Sequence, residues 1–240
     1  MLLPFFTQLL FSVLALNTSL HTAPSSILEI PVPTGYERVA VAGNSFGAYL
    51  RSIELKSDKT VYLYNGQKKT NQSAQYAVVN LSTGTKDLQQ CADAVMRLRA
   101  EYLKQQKLPV CFFDNAGKSY CWENYKQRGW QSYLETVFGM CGTLSLEKQL
   151  RPLKWQYLQP GDVVIKGGSP GHAVIVMDVA RHKSTGALVF LLAQSYMPAQ
   201  DIHVLLNKSN NNLSPWYSTP EEYLETPEWT FKSSHLRTWP

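Results

Sequence analysis

The stretch "PGDVVIKGGSPGHAVIVMDVARHKSTGALVFLLAQ", residues 160–194, decides the fold. Three apolar runs in it are separated by segments rich in Gly, Ser, Pro and charged residues, the composition of turns. Because such short connections join antiparallel strands, the stretch predicts an antiparallel meander. The three runs lie within 160–165, 172–178 and 188–194.

Two polar residues lie at the ends of these apolar strands. His172 opens the second strand, and Gln194 closes the third. In a hairpin the start of one strand lies beside the end of the other, so the two side chains can meet at one sheet edge. An amide that accepts from one ring nitrogen fixes the imidazole tautomer and leaves the other nitrogen free to activate a nucleophile. The alternative is that each residue only satisfies the polar groups of a strand end.

Upstream, the apolar positions from Leu88 onward follow helical spacing and predict an amphipathic helix to about Gln106. Asp87 with Gln90 three residues on predicts the cap, which would place Cys91 at the end of the first turn. There the N–H groups and the helix dipole favour a thiolate if the sulfur also meets a cation or a His. Alternatively, Cys91 is a buried and inert small hydrophobe.

A second motif, "GNSFGAYL" at 43–50, has the G-x-S-x-G spacing of a hydrolase nucleophile elbow. Too few residues precede it to build the parallel sheet that the elbow requires. We therefore predict that Ser45 caps a short helix. A serine esterase is kept as the weakest functional alternative.

The remaining segments predict local elements without evident chemistry. Residues 59–64 alternate like a strand and lead into Asn65-Gly66, which predicts a hairpin with a second strand near 76–80. Helices are expected near 132–140 and 145–149.

Residues 2–16 are almost wholly apolar, and we predict that residues 1–22 form a secretory signal peptide. The run is short for a membrane span, and no Cys follows to accept a lipid, so no stable membrane anchor is expected. With 44% hydrophobic and 12% aromatic residues, 23–240 can form one domain. The net charge of +5 is dispersed, which argues against nucleic-acid binding.

Four cysteines, Cys91, Cys111, Cys121 and Cys141, permit three full pairings. None has C-x-x-C spacing, so no zinc site is expected. An even count favours disulfides, whereas a nucleophilic Cys would leave at least one other unpaired.

Taken together, four segments resemble the cysteine/histidine-dependent amidohydrolase/peptidase domains, the CHAP group related to NlpC-type cell-wall peptidases. The segments are "QCAD" at 90–93, "PGDVV" at 160–164, "GHAVIV" at 171–176 and "LAQS" at 192–195. The resemblance implies an α+β, papain-like core, with a Cys-bearing helix packed on an antiparallel sheet. It also implies Cys91 as nucleophile, His172 as base and Gln194 as the orienting group.

A closer resemblance is to a bacterial exported family, domain of unknown function 4846. It covers "QCADAVMRLRAEYL" at 90–103, "GDVVIKGGSPGHAVIVMDVA" at 161–180 and "LLAQSYMPAQDIHVL" at 191–205. That resemblance implies no established activity.

These patterns predict a secreted or periplasmic cysteine amidase or peptidase that hydrolyses an amide, with cell-wall peptide as a candidate substrate. No metal or organic cofactor is expected, and the oligomeric state does not follow from the sequence. The alternative is a non-catalytic exported protein that holds a glycan or peptide in the same cleft. Polar residues near the expected site are candidate substrate contacts, although those after Gln194 could instead form a hydrogen-bonded loop. The candidates are Asp93, Ser195, Gln200, Asp201 and His203.

Overall fold

The computed structural model describes residues 23–240, so the predicted signal peptide at 1–22 lies outside the described part of the chain. Four α-helices are present there: α1 Phe46–Ser52, α2 Cys91–Gln105, α3 Trp130–Met140 and α4 Thr143–Gln149. The strands are β1 Tyr36–Arg38, β2 Gln75–Val78, β3 Cys111–Phe113, β4 Ser119–Cys121, β5 Arg151–Pro152, β6 Val163–Lys166, β7 His172–His182, β8 Leu188–Gln194, β9 His203–Leu205, β10 Tyr217–Ser218, β11 Tyr223–Glu225, β12 Thr230–Lys232 and β13 Leu236–Thr238.

A nine-stranded antiparallel sheet forms the centre of the molecule, and the predicted meander is confirmed at its middle. Its strand order is β2-β9-β8-β7-β6-β13-β5, with β1 also paired to β7 and β10 to β8. Ile175 of β7 pairs with Val163 of β6 and with Ala193 of β8. This register places the start of β7 beside the end of β8. The fold is α+β with a large antiparallel sheet.

Both faces of the sheet are covered, which explains why its central strands are mostly apolar on both faces. Ala173 and Ile175 belong to the main core, to which α2 and α3 also contribute. Val174 and Val176 face the opposite way, into a second cluster with Phe190. Successive side chains thus alternate between two cores, as strand geometry requires. None of the helices within 23–240 is both long and apolar enough to cross a bilayer.

The predicted hairpin between 59–64 and 76–80 is wrong. The turn after residue 64 closes only a single bridge between Tyr62 and Lys68. Strand β2 pairs instead with β9, more than a hundred residues later. The two helices expected between 130 and 150 are present as α3 and α4.

A fully buried carboxylate, Asp178, lies in the middle of β7 and fastens two other segments to the sheet. Arg38 Nε of β1 lies 2.6 Å from its Oδ2, and Arg51 Nε of α1 lies 2.7 Å from its Oδ1. The guanidinium groups also donate to the carbonyl oxygens of Ile30 at 2.7 Å and Val39 at 2.8 Å. Such pairing and hydrogen bonding is what a buried charge requires.

Candidate active site

Cys91 is the first residue of α2, and Gln90 is the N-cap. The Gln90 backbone N–H donates to Asp93 Oδ2 at 3.0 Å. The predicted cap at Asp87 is therefore wrong: its Oδ1 accepts from the Ala199 N–H at 2.6 Å and so ties a loop to the start of the helix. The helix therefore begins three residues later than predicted, at Cys91. The Cys91 sulfur lies beside free N–H groups of the first turn, those of Cys91 and Ala92.

Cys91 and His172 line the same cavity, which has a volume of about 270 Å³. The start of α2, the segment after α3 and the connection before β7 form its walls. Aromatic and apolar side chains complete the lining, so a bound group would be partly shielded from water. These side chains are Phe138, Pro170, Tyr196, Met197 and Trp229.

The contact expected between His172 and Gln194 is present. The His172 Nε2 and Gln194 Oε1 atoms are 2.8 Å apart, and both residues are buried. The imidazole is also enclosed by the rings of Tyr196 and Trp229, with centroids at 4.9 and 5.3 Å. The ring is therefore held in place, and Nδ1 is the nitrogen that the Gln194 contact leaves available.

The thiol and the imidazole are both neutral in the resting site. Burial raises the pKa of Cys91 to about 11, with a smaller contribution from the charge of Asp93, despite opposing hydrogen bonds from nearby backbone N–H groups that include Ala173. Burial lowers the pKa of His172 to about 4, although the Gln194 hydrogen bond and the Glu228 charge act the other way. Burial therefore outweighs the helix start, which would favour a thiolate.

Asp93 also lines the cavity and is buried. Burial raises the pKa of its carboxyl well above the usual range, against hydrogen bonds from the Gln90 and Asp93 backbone N–H groups. Its Oδ1 has no hydrogen-bond partner among the described residues. The N-terminal turn of α2 thus presents a second titratable group beside Cys91.

Ser195 and Gln200 lie behind the cavity and do not line it. The Ser195 hydroxyl oxygen is 2.8 Å from the Gln89 carbonyl oxygen and 2.9 Å from that of Gln200. Both side chains are at most 1% exposed. The Ser195 hydroxyl thus connects the segment that follows β8 to the segment before α2.

Asp201 and His203 are also buried away from the cavity lining. The Asp201 carboxylate accepts from Lys56 Nζ at 2.9 Å and from the Tyr62 backbone N–H at 3.0 Å. The His203 Nδ1 lies 2.9 Å from the Asp201 carbonyl oxygen, and its Nε2 lies 3.5 Å from Gln194 Nε2. His203 therefore contacts the site only through Gln194.

Three residues that the sequence reasoning did not single out contact the site. Glu228 Oε2 accepts from Gln194 Nε2 at 2.7 Å, Lys69 Nζ lies 2.5 Å from the same oxygen, and Trp229 packs against His172. Glu228 and Trp229 follow β11, and Lys69 lies in the loop before β2. No local pattern connects these segments to His172, although the aromatic residue beside an acid in "PEWT" is a weak signal.

Among the four cysteines, Cys111 and Cys121 form a disulfide across the β3–β4 hairpin, and Cys91 and Cys141 are free. Cys141 lines the same cavity as Cys91. Burial raises the pKa of its thiol to about 12, with smaller contributions from nearby carboxylates. One free thiol thus lines the cavity at the start of α2 together with His172, and a second lines it directly after α3.

Ser45 caps α1, as predicted. Its Oγ accepts from the Ala48 N–H at 3.2 Å and lies 2.6 Å from the Ala42 carbonyl oxygen. Within residues 23–240, no three or more His, Cys, Asp and Glu side chains are grouped to hold a metal ion.

The fold and the site define an α+β protein in which a helix start and a strand of an antiparallel sheet bring a thiol and an imidazole to one cavity, while an amide on the adjacent strand contacts the imidazole. The family model described as "Domain of unknown function (4846)" matches residues 28–127 and 114–238, and the chain belongs to this family. No curated protein and no solved structure shows a significant match to the chain.

Proposed function

We propose that the protein is a cysteine-dependent amide hydrolase with a papain-like core, in which Cys91 is the nucleophile and His172 the general base. One observation carries the proposal: Cys91 and His172 line one cavity, while Gln194 Oε1 contacts the Nε2 atom of the imidazole. A nucleophile, a base and a group that orients the base are the parts that covalent acyl transfer needs.

The first half of the reaction forms a thioester. His172 Nδ1 takes the thiol proton as Cys91 Sγ attacks the carbonyl carbon, and the carbonyl oxygen becomes an oxyanion. The backbone N–H groups at the start of α2 stabilise that charge. The imidazolium then gives its proton to the nitrogen of the scissile amide, the C–N bond breaks and the amine leaves.

The second half releases the acid. His172 Nδ1 takes a proton from water as the water oxygen attacks the thioester carbonyl. The C–S bond breaks, the sulfur recovers the proton from His172, and the carboxylic acid departs. No step needs an oxidant or a further reactant besides water.

The two shifted pKa values support proton transfer during attack over a preformed ion pair. A thiol with a pKa of about 11 in the same cavity as an imidazole with a pKa of about 4 stays protonated at neutral pH. As Cys91 attacks, the substrate carbonyl oxygen at the N–H groups of α2 becomes negatively charged, and this charge stabilises the imidazolium that forms at the same time. The bound substrate thus helps to activate the thiol.

An exported location and a cell-wall substrate are the accompanying proposals. A disulfide such as Cys111–Cys121 persists in oxidising compartments, which supports export. The cavity of about 270 Å³ has room for a short peptide segment but not for a folded chain. Peptide stems of the bacterial cell wall are therefore the first substrates to test.

The test is hydrolysis of a set of cell-wall peptides by the purified chain, followed by mass spectrometry of the products. We expect one amide to be cleaved, and both Cys91→Ala and His172→Ala to reduce the rate at least about a hundredfold. Cys141→Ala is the matched control, because it removes the other free thiol of the same cavity.

A second candidate, a protein that binds peptide or glycan without cleaving it, is favoured by the raised pKa of Cys91. Peptide that binds with unchanged affinity to the wild type and to Cys91→Ala, with no product from either, would support this second function and refute hydrolysis.

A further inference from the structure

The amide of Gln194 is held from both sides. Its Oε1 faces His172 Nε2 at 2.8 Å, and its Nε2 donates to Glu228 Oε2 at 2.7 Å. Glu228 is itself anchored, because Lys69 Nζ lies 2.5 Å from Oε2 and Asn71 Nδ2 donates to Oε1 at 3.0 Å. The acid lies 34 residues beyond Gln194 and reaches it from the hairpin of β11 and β12.

The charge of Glu228 decides which way the Gln194 amide points. A carboxylate can only accept hydrogen bonds, so the NH₂ group of Gln194 must face it. The amide oxygen then faces His172, and an oxygen can only accept. His172 therefore carries its proton on Nε2, and its Nδ1 keeps a free lone pair.

Glu228 stays ionised at neutral pH. Burial by itself would raise its pKa, but the hydrogen bond and charge of Lys69, with a further hydrogen bond from Asn71, bring the pKa below its usual range. A second acceptor supports the same amide orientation. His203 uses its Nδ1–H on the Asp201 carbonyl, so its bare Nε2 faces Gln194 Nε2, at the longer distance of 3.5 Å.

We propose that Glu228, fixed by Lys69 and Asn71, is a positioning residue that sets the tautomer of His172 through Gln194. The inference deepens the proposed function and rests on it, because Nδ1 is the atom that takes the thiol proton there. Glu228 does not line the cavity and touches no reacting atom. It fixes the direction of the amide through the 2.7 Å hydrogen bond, and the longer His203 contact supports the same direction.

The test reads the His172 tautomer directly. Long-range proton–nitrogen NMR spectra of the full chain, labelled with ¹⁵N, distinguish the two ring nitrogens without any substrate. We expect only the Nε2–H form in the wild type. In Glu228→Met, which removes the acceptor, the preference for that form should fall at least about tenfold, the weight of a hydrogen bond to a charged group.

Two matched variants separate the hydrogen bond from other effects. Glu228→Gln keeps an oxygen that Lys69 can hold toward Gln194, so it should restore the Nε2–H form. Glu225→Met removes an exposed acid from the same hairpin and should leave the tautomer as it is in the wild type. If Glu228→Met does not fold, Lys69→Met/Glu228→Met removes both buried charges and should show the same mixed tautomers.

A wild type with its proton on Nδ1, or an unchanged tautomer in the folded variant that lacks Glu228, would overturn the inference. Where hydrolysis is measurable, Glu228→Met should lower kcat about tenfold and leave KM unchanged. A correct tautomer that responds to Glu228 in a protein without hydrolytic activity would refute the proposed function alone.

Discussion

Strand β7 carries two buried polar networks of opposite character. At its middle, Asp178 forms ion pairs with Arg38 and Arg51, and each of its oxygens has a guanidinium partner. At its start, His172 is a neutral ring that lines the same cavity as a neutral thiol, and the Gln194 contact occupies only one of its two nitrogens. The first network is complete and holds segments together. The second leaves one imidazole nitrogen outside the Gln194 contact, on a residue that lines a cavity. A reactive site needs such an available nitrogen, whereas a structural site would pair it.

The largest expected effect is on the complete network. Asp178→Ala leaves the buried Arg51 and the partly buried Arg38 without their acid and should lower the free energy of unfolding by about 3–5 kcal/mol. Urea denaturation followed by circular dichroism measures this. The control is Glu123→Ala, which breaks an ion pair whose side chains are 55% and 68% exposed and should cost at most about 1 kcal/mol. Equal losses in the two variants would show that the Asp178 network does not anchor the fold.

The next largest expected effect concerns the network at the start of β7, which should make the free energy of unfolding depend on pH. Burial lowers the pKa of His172 in the folded protein to about 4 from its usual value of 6.5, so the unfolded chain binds its proton first as pH falls. The contribution of His172 to the free energy of unfolding is thus fully present above pH 6.5. It is lost as the pH falls toward 4, and the total loss is about 3 kcal/mol.

The matched comparison is with His172→Gln, which cannot titrate. The raised pKa values of Asp93 and Asp162 act in the opposite direction, but they are common to both proteins and cancel in the difference. The stability advantage of the wild type over the variant should shrink between about pH 6.5 and pH 4. A constant difference would mean that His172 titrates normally and is not buried in solution.

The smallest effect concerns α1, the helix that brings Arg51 to Asp178. Ser45→Ala removes its N-cap hydrogen bond and should cost about 1 kcal/mol, since the helix remains attached through Arg51. Labelling of the wild type by a fluorophosphonate should be absent at Ser45. Labelling at that position would revive the serine esterase that the G-x-S-x-G spacing suggested.

The difference between the two networks was only partly predictable. The contact between His172 and Gln194 followed from strand ends and hairpin register, because both belong to one local meander. Glu228 and Lys69 were not predictable, since they reach the site from loops brought together by the whole fold. Local spacing carries no information on such contacts.

The helix start at Cys91 shows a similar limit. Periodicity located α2 but not its first residue. The predicted cap, Asp87, instead accepts a hydrogen bond from the Ala199 N–H of a loop more than a hundred residues later, and Gln90 is the N-cap. The pKa of Cys91 is raised mainly by burial, which helical spacing could offer only as an alternative. Sequence therefore located the nucleophile candidate without its ionisation state.

Trapping the acyl intermediate tests most directly whether Cys91 is the nucleophile and His172 its general base. The wild type, His172→Ala and Cys91→Ala would each be mixed with an aryl ester of a short peptide, and the mass gain of each protein followed with time. We predict one acyl group on Cys91 of the wild type, later lost to water, and none at that position in Cys91→Ala. Acylation of His172→Ala should be slower by about 10²–10⁴-fold. Equal acylation rates with and without His172, or an acyl group on another residue, would contradict the account.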